Sequence, residues 1–144
     1  EQTNARRLSP AEVPETCGLA VMDVSFISAS KILPALLSVL AAGADVVVLV
    51  KPQFEVGRAD VGRGGIVKDR RLHRQALQDV ARAAQAHGYG VAGAAASPID
   101  GAEGNREFLL HLRVDGPVMA EPQLAALVEK TTGARDAADA EPAC

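Results

Sequence analysis

The chain has 144 residues, the size of a single domain. Hydrophobic residues make up 48% of it but aromatics only 3%, with no tryptophan, so the core must be aliphatic. A net charge of −3 excludes a uniformly cationic nucleic-acid binder. Cys17 and Cys144, at opposite ends, exclude a disulfide framework and read as reduced thiols of a cytoplasmic protein.

The opening EQTNARRLSP has no apolar stretch of the kind a signal peptide carries. GLAVMDVSF (18–26) is short, apolar and β-branched, and reads as a buried strand. Ser28 or Ser30 can cap a following helix over KILPALLSVLAA, where Pro34 is tolerable in the first turn and Gly43 marks the end. DVVVLV (45–50) lacks polar alternation, which predicts a strand covered on both faces, as in parallel sheets. Gly43-Ala44-Asp45 divides this region into two apolar pieces, each well short of the ~20 residues of a membrane span.

The apolar run stops at Lys51-Pro52, and a loop with Gly57, Arg58, Gly62, Arg63, Gly64 and Gly65 follows. Gly57 and Gly62 have the spacing of a phosphate-binding P-loop, but Arg63-Gly64 stand where Lys-Ser/Thr is required. Two readings remain: a backbone cradle for phosphate with Arg58 and Arg63 as cationic partners, or a plain surface turn. Between residues 58 and 74, Arg58, Arg63, Lys68, Arg70, Arg71 and Arg74 face only Asp60 and Asp69.

Asp69 is a plausible N-cap for a helix running to Gly88, with Leu72, Ala76, Val80 and Ala84 on one side. YGVAGAAASP (89–98) is a weaker strand, and REFLLHLRV (106–114) a strand with partial alternation. PQLAALVEKTTG (122–133) is a short amphipathic helix opened by Pro122. Residues 134–144 are acidic and poor in large apolar side chains, which predicts a disordered tail behind a domain spanning 1–133.

Alternating strands and helices predict an α/β fold with a parallel sheet. The link PIDGAEGN is too short for a crossover, so the last strand is expected to run antiparallel. Ligands of open α/β sheets bind at the carboxyl ends of the parallel strands. Asp23 and Lys51 stand at two such ends, and an antiparallel last strand brings Glu107 to the same edge. Each alone reads more readily as a solvated strand terminus; their convergence is the specific signal. Phe26 and Phe54 follow Asp23 and Lys51 by three residues, placed to stack on a base or cofactor or to close the core. His73, His87 and His111 lack metal-ligand spacing, so no metal is expected. GxSxG and GxGxxG are absent.

DVSFIS, LVKPQFEVGR, VGRGGIVKD, ASPIDGAEGNREFLLHL and the opening EQTNARRL together resemble the TlyA (hemolysin A) family of ribosomal RNA methyltransferases, whose catalytic domain is FtsJ-like. The resemblance extends to about residue 132 and is most specific in KPQFEVG and GNxE. It implies the C-terminal half of a Rossmann-like sheet using S-adenosylmethionine to methylate a cytidine ribose 2′-hydroxyl in ribosomal RNA. In that family a Lys-Asp-Lys-Glu tetrad serves the transfer; carried over by motif, its last three members fall on Asp23, Lys51 and Glu107. The resemblance also implies cofactor contacts at Asp23, Ser25 and Phe26 and RNA contacts at Arg58 and Arg63. The family's first lysine and its glycine-rich cofactor loop would precede Glu1, so the expectation is a chain inactive alone, with an exposed sheet edge prone to self-association. Ribosomal RNA or a ribosomal subunit is the expected partner. Two rival readings are a non-catalytic RNA-binding module and a membrane-lytic protein; no spanning or strongly amphipathic cationic segment supports the second.

Overall fold

The computed structural model describes residues 3–138. Four strands, β1 (Cys17–Met22), β2 (Leu40–Val50), β3 (Tyr89–Ala96) and β4 (Phe108–Val114), form one sheet in the order β1-β2-β4-β3. β1 and β2 are parallel, while β4 lies antiparallel between β2 and β3. The short 97–107 connection produces this arrangement: it can turn β4 back beside β3 but cannot cross over the sheet.

α3 (Arg70–Ala86) starts at Asp69, whose carboxylate accepts the Arg71 N–H at 2.7 Å. It buries Leu72, Ala76, Val80 and Ala84 as the spacing predicts, together with Leu77 and His73. Past the helix end Gly88 adopts φ 90°, which only glycine takes without strain. α4 (Glu121–Ala138) lies against α3 and β3. Its helix runs past residue 133, where the sequence reading ended it, and residues 139–144 of the expected tail lie outside the described residues.

The segment between β1 and β2 differs from expectation. A single helix over 31–42 is replaced by a 3-10 turn (Ala29–Lys31), one turn of helix α1 (Leu33–Leu36) and a second 3-10 turn (Leu37–Val39). Leu40 already belongs to β2, and Gly43, at φ 71°, bends that strand instead of ending a helix. Between Cys17 and Leu19 the β1 partner jumps from Leu40 to Asp45, so β2 carries a bulge there. Strand pairing has taken residues that local propensity assigns to the helix. The first strand likewise stops at Met22, short of residue 26.

The expectation of two covered faces is also corrected. Val46, Val48, Val50, Phe108, Leu110 and Leu112 are buried under the helices, whereas Val47, Leu49 and Leu109 on the opposite face are only half-buried. On the same open face His111 and Arg113 are exposed, and His111 reaches Asp45 at 2.9 Å. β1 is an edge strand with Leu19 60% and Val21 75% exposed.

An unpaired apolar edge beside a half-covered face is a template for strand addition. The isolated chain is therefore expected to self-associate in a concentration-dependent way, measured by sedimentation velocity, and Val21→Lys is expected to shift it toward monomer. A wild-type chain that stays monomeric at high concentration would contradict this.

Candidate active site

The three residues singled out at the strand ends meet. Asp23 follows β1, Lys51 follows β2, and Glu107 precedes β4. The Val50–Phe108 pairing sets the register that carries Lys51 to Glu107. Lys51 Nζ lies 2.7 Å from Asp23 Oδ1 and 4.0 Å from Glu107 Oε1. It also donates to Ser25 Oγ at 3.3 Å. The Lys51 side chain is 15% exposed and that of Glu107 8%, while Asp23 remains open to solvent at 63%. The ammonium therefore sits in a pocket of acceptors with one side facing outward.

Glu107 fits only because residue 101 has no side chain: a Cβ there would come within 2.0 Å of Glu107 Oε1. The 97–107 connection is folded tightly by Ser97 N–H to Glu107 O at 2.9 Å and Gly101 N–H to Asn105 O at 2.8 Å. Asn105, 2% exposed, then ties it to the glycine loop: its Oδ1 accepts the Val67 N–H at 3.0 Å and its Nδ2 donates to Gly65 O at 2.9 Å.

Part of the glycine loop's backbone is committed to bonds within the loop. The N–H groups of Asp60, Val61, Gly62 and Gly65 all donate within the loop, to Gly57, Arg58, Ile66 and Gly62 carbonyls respectively. Arg58 and Arg63 are exposed and form no ion pair among the described residues, so both cations face solvent.

Phe26 is 91% exposed and holds φ 64°, a strained conformation for an aromatic residue. Its ring leans on Phe54 with centroids 5.0 Å apart and planes tilted by 51°. The two rings, Gln53, Val61, Gly65 and Asn105 line a mainly apolar cleft of about 380 Å³ beside the charged cluster. Gln53 Oε1 is buried there without a hydrogen-bond partner. His73 is buried and bonds Val67 O at 2.7 Å, a packing role. No three His, Cys, Asp or Glu side chains group to hold a metal among the described residues.

The FtsJ-like methyltransferase family matches residues 1–114. The chain belongs to that family. This methyltransferase domain is 48% identical over 113 residues to a Mycobacterium tuberculosis protein named 16S/23S rRNA (cytidine-2′-O)-methyltransferase TlyA, covering 78% of the present chain and 42% of that protein. It is 42% identical over 139 residues to YqxC of Bacillus subtilis, described as a candidate rRNA methyltransferase, covering 90% and 48%. A solved structure described as a candidate hemolysin from Streptococcus thermophilus superposes with a TM-score of 0.84 at 40% identity, covering 98% of this chain and 52% of that one. The chain thus spans about half the length of the relatives it matches. No helix among the described residues is long and apolar enough to cross a membrane.

Sequence reasoning named Asp23, Ser25, Phe26, Lys51 and Glu107 and missed Asn105, Gly101 and Glu55. All three lie inside quoted motifs, GAEGN and KPQFE. Their partners are 26 to 40 residues distant in the chain for Asn105 and Glu55, which spacing cannot reveal.

Glu55, half-buried at the end of α2 (Pro52–Glu55), has its carboxyl pKa pushed above the usual 4.5, chiefly by burial and opposed by bonds from Ser28 and the Ala29 N–H. Lys31 and Asp79 act on it in opposite senses. The native state therefore binds this proton more tightly than the unfolded chain. Its contribution to stability is full below about pH 4.5 and is lost as pH rises through the higher native value. Glu55→Gln removes that slope, so its melting temperature relative to wild type is expected to rise between pH 4 and 7 in a differential scanning series.

Asn105→Ala leaves the buried Val67 N–H without its acceptor. A loss of about 2 kcal/mol is expected, read as a lower midpoint in urea unfolding at unchanged m.

Proposed function

We propose that this domain serves S-adenosylmethionine-dependent methylation of a ribose 2′-hydroxyl, of cytidine in ribosomal RNA, within the longer cytoplasmic protein of which its relatives are examples. The observation that carries the reading is the Lys51 ammonium held 2.7 Å from Asp23 and 4.0 Å from Glu107 at the carboxyl edge of the sheet. A relative at 48% identity bears the name of that activity.

Bound S-adenosylmethionine would supply an electrophilic methyl group. The donor set suits it: an open carboxylate on Asp23, the Ser25 hydroxyl and the exposed Phe26 ring lie together, fit for a cation bearing hydroxyls and a purine. Asp23, Ser25 and Phe26 are therefore the residues that would hold it, in addition to contacts outside this chain.

Alkylation of a hydroxyl requires the oxygen to be aligned with the methyl carbon and relieved of its proton. Lys51 orients the 2′-hydroxyl and, in its amine form, takes that proton. Glu107, walled in by Gly101, keeps Lys51 from swinging away. The cleft beside Phe26 and Phe54 has room for a base, with aromatic rings to stack on it. Arg58 and Arg63 meet the RNA backbone as cations, so binding should weaken with salt.

Lys51→Arg tests the assignment in the full-length protein. A guanidinium stays protonated and its broad fork does not fit an ammonium's place beside a ribose hydroxyl. Methyl incorporation into ribosomal RNA is expected to fall about 100-fold or more, with S-adenosylmethionine affinity by calorimetry nearly unchanged. Near-normal turnover in the arginine variant would leave Lys51 a structural strand-end residue and defeat the reading. Salt-sensitive RNA binding with no methylation by the wild-type protein would favour an RNA-binding module instead.

A further inference from the structure

The loop that joins β1 to the Ala29–Lys31 turn carries Asp23, Ser25 and Phe26, yet it has no regular structure and is largely exposed. Such a segment should be mobile unless something fixes it. One short stretch of chain does so. Lys51 holds the loop's start through Asp23 and Ser25. Phe54 packs on Phe26 in its middle. Glu55 holds its end: Oε2 accepts from Ser28 Oγ at 2.6 Å and Oε1 from the Ala29 N–H at 2.8 Å. Ser28 Oγ lies 2.6 Å from Ser30 Oγ and accepts the Ser30 N–H at 3.2 Å, so the Glu55 carboxyl group organises a small network at the start of the Ala29–Lys31 turn. Burying a carboxyl group costs free energy, and two good donors offset that cost. Nothing about the stability of α2 itself requires this arrangement, because neither donor belongs to it.

We propose that Glu55 is a positioning residue for the site: its carboxyl group fastens the 23–28 loop to α2, so that Asp23, Ser25 and Phe26 stand in place opposite Lys51 before a substrate arrives. The proposal rests on the methyl-transfer reading for its catalytic consequence, and on hydrogen bonds alone for the clamp. The role needs hydrogen bonding at the right length and no proton transfer. A glutamine can therefore fill it, its Oε1 accepting from Ala29 and its Nε2 donating to Ser28 Oγ, which keeps its own hydrogen for Ser30. Alanine cannot.

The test uses the full-length protein, with amide hydrogen exchange read over residues 23–30 and over β2 and β4, and kcat for methyl incorporation into ribosomal RNA. Glu55→Ala is expected to speed exchange over 23–30 and to lower kcat, each by about ten-fold, the effect of one or two lost hydrogen bonds. Exchange in β2 and β4 should stay as in wild type. Glu55→Gln should restore both quantities to near wild type. Ser28→Ala should have a smaller effect of the same kind and add little to Glu55→Ala, because the two act through one bond.

Unchanged exchange over 23–30 in Glu55→Ala would overturn the clamp. Faster exchange with unchanged kcat would overturn its bearing on the site. A glutamine variant as slow as alanine, with the loop still protected, would make Glu55 a proton-transfer group and overturn the positioning role. If Glu55→Ala loosens β2 and β4 as well, Ser28→Ala, which keeps the carboxyl group, decides by the same criteria. If the wild-type protein itself transfers no methyl group, the function reading fails, and the exchange data alone uphold or overturn the clamp.

Discussion

The geometry of the site depends on one ion pair at the end of one strand. Val50 is fully buried, and the next residue is a lysine whose side chain keeps only 15% of its exposure. Removing an ammonium group from water costs several kcal/mol unless opposite charges and acceptors replace the lost hydration. Asp23 and Ser25 from the loop after β1, and Glu107 from the connection into β4, do so here. That requirement explains the surrounding detail. Glu107 must lead into the antiparallel strand, Gly101 must lack a side chain to admit it, and the β1–β2 pairing must deliver Asp23 to the same edge.

The loops around this edge are tied down by hydrogen bonds more than by their composition. Four glycines between residues 57 and 65 suggest freedom, yet several of the loop's N–H groups are satisfied internally and Asn105 ties it to the segment leading into Glu107. The β1 loop is held from α2 in the same manner. Apolar packing contributes little there: Phe26 is almost wholly exposed and touches Phe54 at its side. An aromatic ring kept in water at a strained backbone angle is free energy withheld from the fold and available to a ligand.

The sheet is finished on one side only. α3 and α4 cover the face bearing Val46, Val48 and Leu110, while the face with Val47, Leu49 and Leu109 and the edge with Leu19 and Val21 keep apolar surface in contact with solvent. The relatives are about twice as long as this chain. The charged cluster lies at the rim of that half-covered sheet.

Local sequence determined the elements whose cause is local. The 70–86 helix is announced by Asp69 and by apolar residues spaced three and four apart, and β4 by its alternation, because capping and amphipathic burial act over a few residues. The direction of β4 was legible too, since eight residues cannot make a crossover. Together these placed Asp23, Lys51 and Glu107 on one edge, and the motifs KPQFEVG and GNxE marked the family. Only the tertiary structure decided the rest. Leu40 follows a helical turn in sequence but pairs with Cys17 of β1, and DVVVLV reads the same whether one face or two are covered. Asn105, Gly101 and Glu55 were hidden because a hydrogen bond or a close approach between residues far apart in the chain leaves no periodicity to read.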